Sequence, residues 1–196
     1  MHLHDDNFII ALSAQSSKCA TNSAKVLILI KMEFVMNKLR MGLLLLLYFG
    51  WIGQSWAGFS EGLLAYDKGD YKTALNEFKP LAHKGNAVAQ VYLGWMYDDG
   101  KGVMQDYKEA VKWYRLSAEQ GNAFAQYLLG YMYGKGEGVL RNDIMGYMWA
   151  TIAAHSGQSS AKGLREEIAE KMDSSHILKA LKLAKKCVAS NYKNCG

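Results

Sequence analysis

Apolar side chains in the middle of the chain recur at helical spacing. Ala89, Leu93 and Met96 fall at i, i+4 and i+7, on one face of a helix. Asp99-Gly100-Lys101-Gly102 then interrupts the period with two glycines suited to positive φ. A second helix is predicted from about Asp106 to Gln120, with Asp106 as its N-cap and Gly121 where a glycine closes a helix. The whole unit then repeats. Ala89–Asn122 and Ala125–Gln158 align without gaps at an offset of 36, which carries Gly94 to Gly130, Trp113 to Trp149 and Gly121 to Gly157. A partial copy precedes them: Tyr71, Ala74, Phe78, Ala82 and Gly85 each sit 36 before Tyr107, Ala110, Tyr114, Ala118 and Gly121. Its loop is shorter, since Tyr66 and Tyr97 are only 31 apart. A period of this length marks a stack of helix pairs.

Gly94 and Gly130 lie inside the first helix of each pair, where a glycine costs about 1 kcal/mol against alanine. A cost repeated at the same place implies close approach of a neighbouring helix. Ala89, Ala110, Ala118 and Ala125 read the same way, as small residues at a seam. Pro80 is expected to kink or restart the helix that carries it. The tail from Ser160 shows two more apolar runs, broken at Asp173-Ser174-Ser175, and reads as a capping pair for the end of the stack.

The first helix carries a second stripe: Val88, Tyr92 and Trp95 in one copy, Phe124, Leu128 and Tyr131 in the next. It lies about a quarter turn from the core face. The six side chains are candidates for a ligand surface, or else they pack between adjacent repeats.

The pattern carried by Ala89, Gln90, Leu93, Gly94, Tyr97, Gly100, Gly102, Val103, Asp106, Ala110, Trp113, Tyr114, Ala118 and Gly121 resembles the Sel-one-like repeat (SLR), a relative of the tetratricopeptide repeat. The second copy departs from it at Gly134, Gly146 and Ala150, which stand where the first has Asp98, Ala110 and Tyr114. The resemblance implies an all-α fold: an α/α solenoid of antiparallel helix pairs forming a right-handed superhelix. It also implies a protein-interaction scaffold without cofactors, holding a peptide or partner domain in a concave groove lined by the first helices. The expected organisation is a partial repeat over 58–86, full repeats over 87–122 and 123–158, and the cap over 159–196.

Upstream, Met36–Ala57 combines basic Lys38 and Arg40, an apolar run Gly42–Gly53, and small residues at Ser55 and Ala57. This is the three-part pattern of a secretory signal, with cleavage expected between Ala57 and Gly58. The run is shorter than the roughly twenty residues of a membrane span, so no stable membrane insertion is expected after cleavage. Residues 1–35 read as an upstream extension from a mis-set start, without order of its own. His2, His4, Asp5 and Asp6 could imitate a metal cluster but fall in that extension, so no metal site is assigned. The protein is expected in the periplasm or secreted.

Charge adds an exclusion. From Gly58 onward there are 18 Lys and Arg against 15 Asp and Glu, with signs interleaved. Nucleic-acid binding wants a like-signed stripe, and none occurs until Lys179, Lys182, Lys185 and Lys186. Of three cysteines, Cys19 precedes the signal, and Cys187 and Cys195 are expected to bond in an oxidising compartment. Catalytic signals are weak. Ser159-Ser160-Ala161-Lys162 matches the S-x-x-K of penicillin-binding enzymes, but no S-D-N or K-T-G partner exists. Cysteine-rich relatives of the repeat are described as β-lactamases, yet they carry a cysteine pair in each repeat and this chain carries none there. A wall-active hydrolase is therefore the secondary expectation, and no catalytic residue is assigned.

Overall fold

The computed structural model describes residues 58–193 and 195. The signal segment, the extension before it, Cys19 and Ala57 lie outside the described residues. Those described form helices joined by turns: α1 (residues 58–67), α2 (Tyr71–His83), α3 (Ala87–Asp99), α4 (Tyr107–Ala118), α5 (Ala123–Lys135), α6 (Asp143–His155), α7 (Ser160–Ala169) and α8 (Ser174–Ala189).

The helix starts are set by short polar side chains in the repeat register. Asp70, Asp106 and Asn142, 36 apart, each accept a backbone N–H from the first turn of α2, α4 and α6. Asn86 and Asn122 do the same for α3 and α5, at 2.9 Å from the amides of Ala89 and Ala125. Gly100 and Gly136 close α3 and α5 in the left-handed conformation. Pro80 neither ends nor restarts its helix: α2 runs through it to His83. The residue is exposed, and its carbonyl still accepts the Lys84 amide at 3.1 Å, so the loss is one missing donor near the last turn.

Each pair packs antiparallel. At one end the Asp106 amide bonds the Tyr97 carbonyl at 2.8 Å, and at the other the Ser117 hydroxyl donates to the Ala87 carbonyl at 2.7 Å. Between them Gly94 receives the Tyr114 ring: a Cβ on Gly94 would lie 2.5 Å from it. Gly62 meets Phe78 in the same way at 2.7 Å. Ala74, Ala82, Ala89, Ala110, Ala118 and Ala125 are all essentially inaccessible, as seam residues must be.

Neighbouring pairs are joined by two devices that recur every 36 residues. Gly102 and Gly138, with φ 74° and 69°, lie against the Tyr71 and Tyr107 carbonyls that open the preceding α2 and α4. Buried Gln90 and Gln126 donate from Nε2 to the Ala82 and Ala118 carbonyls, at 3.0 and 3.2 Å, in the last turns of those helices. Gln90 Oε1 in turn accepts from Gln120 Nε2 at 2.7 Å. Position 156, the equivalent of 120, is a serine, and Gln126 Oε1 is left without a protein partner.

The second full copy packs by a substitution of shape. Gly134, Gly146 and Ala150 let α5 and α6 approach backbone to backbone, with a Cβ on Gly130 only 3.0 Å from the Ala150 amide nitrogen. Ile168 of α7 reaches into the space beside Gly134 and Gly146. The cap is asymmetric. α7 continues the stack on α6, while α8 doubles back and packs on α6 as well. Ala180, Ala184, Cys187 and Cys195 thereby join the core of Val111, Tyr114 and Trp149. Cys187 and Cys195 form a disulfide with Cα atoms 4.9 Å apart, and Tyr192 between them lies against Gly121.

Two outcomes are expected. Gly138→Ala adds a clash with the Tyr107 carbonyl to left-handed strain, whereas Gly157→Ala, at φ 91° with open space around it, adds the strain alone. Urea unfolding should place Gly157→Ala about 1 kcal/mol below wild type and Gly138→Ala at least about 1 kcal/mol lower still. Cys187→Ser with Cys195→Ser opens the terminal loop and should cost about 2–3 kcal/mol by the same measurement.

Candidate functional site

The candidate stripe sits within a run of aromatic rings that crosses three helices. Tyr66 of α1 meets Tyr92 of α3 at 5.4 Å, Tyr92 meets Trp95 at 5.4 Å, Trp95 meets Phe124 of α5 at 5.1 Å, and Phe124 meets Tyr127 at 5.9 Å. Most of these pairs are edge to face, the arrangement aromatic quadrupoles favour. Tyr92 also stacks on buried Phe78 at 4.8 Å, which ties the run to the core. Burial holds the Tyr92 phenol above its ordinary pKa, with the nearby Asp67 carboxylate adding to the effect.

Of the six stripe residues, Val88 is the most accessible, at 45%. Tyr92, Trp95, Phe124, Leu128 and Tyr131 are half-buried. Trp95, Phe124, Leu128 and Tyr131 pack on the α4–α6 core, and Tyr92 on the α1–α3 core. Tyr92, Trp95 and Phe124 thus form one connected stretch of the stripe, part of it packed between repeats and part open to solvent. Tyr66 and Tyr127 belong to the run as well. Tyr127 could have been found from its i+3 spacing to Phe124, but it lies off the stripe because its equivalent is Val91.

A second constellation sits at the α3–α4 loop edge. The Tyr114 hydroxyl donates to Asp98 Oδ2 at 2.9 Å. Desolvation raises the Asp98 pKa above its ordinary value, and the Tyr114 hydrogen bond opposes that rise. Burial, with Asp98 beside it, pushes the Tyr114 phenol far upward, so it stays a donor. Beside it Lys101 bridges Asp99 at 2.9 Å and the Tyr66 hydroxyl at 3.3 Å. These contacts hold the loop; they do not form a nucleophile and base. A cleft of about 450 Å³ opens between α4, α6 and the C-terminal tail, lined by Arg115, Glu119, Tyr133, Met145, Trp149, Lys193 and Cys195. Arg115 Nη2 donates to the Tyr133 hydroxyl there at 2.5 Å.

Ser159 and Lys162 are both exposed, and no hydrogen bond joins their side chains. Among the described residues, no group of three or more His, Cys, Asp or Glu side chains could hold a metal ion. His83 and His155 end α2 and α6, and His83 packs its edge on Trp113 at 5.1 Å. Lys179, Lys182, Lys185 and Lys186 lie along exposed α8.

Antiparallel pairs, a constant register and seams repeated at that register define an α/α repeat solenoid. Residues 87–122 and 123–158 each match the Sel1 repeat, and the chain is a Sel1-like repeat protein. It is similar to the crystal structure of a protective antigen present in uropathogenic Escherichia coli strains that displays an SLR fold. The identity is 27% and the TM-score 0.67, over 72% of this chain and 31% of that one. It is also similar to a Sel1 repeat protein from Oxalobacter formigenes, at 33% identity and TM-score 0.51, over 53% of this chain and 43% of that one. The chain thus spans less than half the length of either. No curated protein matches it. Sel1 repeat proteins are generally protein-interaction scaffolds and typically not catalysts.

The Asp98–Tyr114 pair yields a pH-dependent expectation. The folded pKa of Asp98 lies above its unfolded value, so its titration contributes stability that is present in acid and lost as pH rises through the folded pKa. Tyr114 limits that loss by donating to the ionised carboxylate. Tyr114→Phe should therefore cost about 1 kcal/mol at neutral pH and less below about pH 4, read as thermal midpoints across that range.

Proposed function

We propose that this chain is an exported protein-interaction scaffold that holds a peptide or partner domain along the stripe of Val88, Tyr92, Trp95, Phe124, Leu128 and Tyr131. The observation that carries the reading is the unbroken series of ring contacts from Tyr66 to Tyr127, anchored on Phe78 yet half open to solvent. Rigid aromatic side chains lose little entropy on binding and supply large contact area, which is why they dominate interface hot spots. The core contacts of Tyr92 and Trp95 support the same reading, because a fixed surface need not be ordered by its ligand.

Export is supported by the secretory pattern of residues 36–57 and by the Cys187–Cys195 disulfide, since such bonds persist in oxidising compartments. Among the described residues no helix is long and apolar enough to cross a membrane.

Val88→Glu places a charge on the stripe at its most accessible position and should leave the helical spectrum unchanged. The partner recovered by wild type from a periplasmic extract should be bound about 30-fold more weakly by this variant, the loss of one hot spot. Equal capture by Val88→Glu and Trp95→Ala would remove the stripe from consideration. N-terminal sequencing of the processed protein should begin at Gly58; a chain that retains residues before Met36 would refute the export reading.

A further inference from the structure

We propose that the exposed face of α8 docks on an anionic membrane surface. One side of this helix is committed: Ala180, Ala184 and Cys187 are buried against the body of the protein. The other side is not. Leu178 is 67% exposed, Leu181 41% and Val188 42%. At about 100° per residue these three fall on a single stripe, with Lys185 among them. Lys182, Lys186 and Lys179 follow along one flank. All four lysines are exposed, and none enters an ion pair among the described residues. From Ser174 to Lys193 the chain contains no Asp or Glu. A helix with an apolar stripe, a lysine flank and no acidic residue is the pattern that lies in the headgroup boundary of an anionic bilayer.

The charge decides between occupants. A second copy packed face to face on this stripe would bring its own four lysines against these four, and like charges so juxtaposed repel. The occupant is therefore anionic. The apolar side chains stand out singly from a convex helix. A fluid, flat surface accepts such side chains without a matching shape, whereas a protein partner would need a hollow built for them. Both ends of α8 are held, the first by the Asp173 cap on the His176 amide and the last by the disulfide. The face is thus presented ordered, with no folding cost on contact.

Co-sedimentation of the full chain with vesicles tests this, using phosphatidylcholine alone and phosphatidylcholine with one-third phosphatidylglycerol. Binding should increase with the anionic lipid, and that increment should vanish at high salt. Each lysine near an anionic surface contributes about fivefold, so Lys182→Gln with Lys185→Gln should weaken the increment about 25-fold. Leu178→Ser should weaken it too, while both variants keep the wild-type helical spectrum. An increment absent in wild type, or unchanged by the lysine pair, overturns the proposal. So does a dimer in solution that Leu178→Ser dissolves, which assigns the stripe to a second copy. Binding to polyglutamate as tight as to the vesicles, and indifferent to Leu178→Ser, assigns it to an acidic protein.

Discussion

The stack depends on how closely the two helices of a pair approach. Gly94 accepts the face of the Tyr114 ring at a distance that no side chain on Gly94 would allow, and Gly62 accepts Phe78 likewise. A glycine inside a helix sacrifices about 1 kcal/mol of propensity. Burying Tyr114 and Phe78 completely recovers more than that, because a buried aromatic ring removes a large apolar area from water. Once this spacing is set, the ends of the pair follow. The amide of Asp106 reaches Tyr97, the hydroxyl of Ser117 reaches Ala87, and the loop glycine at 102 comes to rest on the preceding pair.

The second full repeat shows that positions 98 and 114 act as one unit. In the first full repeat a half-buried carboxylate and a buried phenol satisfy each other across the pair. Losing only the phenol would strand the carboxylate, and losing only the carboxylate would strand the hydroxyl. Their equivalents, Gly134 and Ala150, are both small and both apolar, so neither polar group is left behind. The space is closed by bringing α5 and α6 together and by Ile168 from the following helix. The Gln126 site is less complete. Its Nε2 bond to Ala118 is kept, but Ser156 is too short to do what Gln120 does for Gln90.

Much of this was legible because it is local and repeated. The caps Asp106 and Gly121, the turn glycines and the alanine seam each act within one helix pair, and a period of 36 exposes them by recurrence. What recurrence could not reveal was the identity of a contact made across pairs. Gln90 and Gln126 were visible as motif positions, yet the carbonyls they bond belong to the preceding repeat. Tyr66 escaped notice because its equivalent in the next repeat is Tyr97, which lies off the stripe; only its ring contact with Tyr92 brings it into the run. Pro80 misleads for the opposite reason: its local rule is correct, but near an exposed helix end one lost donor is too small a penalty to stop the helix.

The end of the stack follows from the same devices. α7 begins where a further first helix should, with Ala161 buried at the seam position of Ala89 and Ala125. Lys162, however, stands where Gln90 and Gln126 stand, and it is exposed rather than turned onto the previous carbonyl. α7 nonetheless packs on α6, and α8 does not take the place of a further second helix. It returns to α6, where alanines at 180 and 184 permit close packing, and the Cys187–Cys195 bond holds the tail over the α4–α6 core. The terminal helix is thus secured to the body it covers instead of to its own pair. That arrangement leaves its outer side free of the repeat's packing requirements, and there Leu178, Leu181 and the lysines occur together.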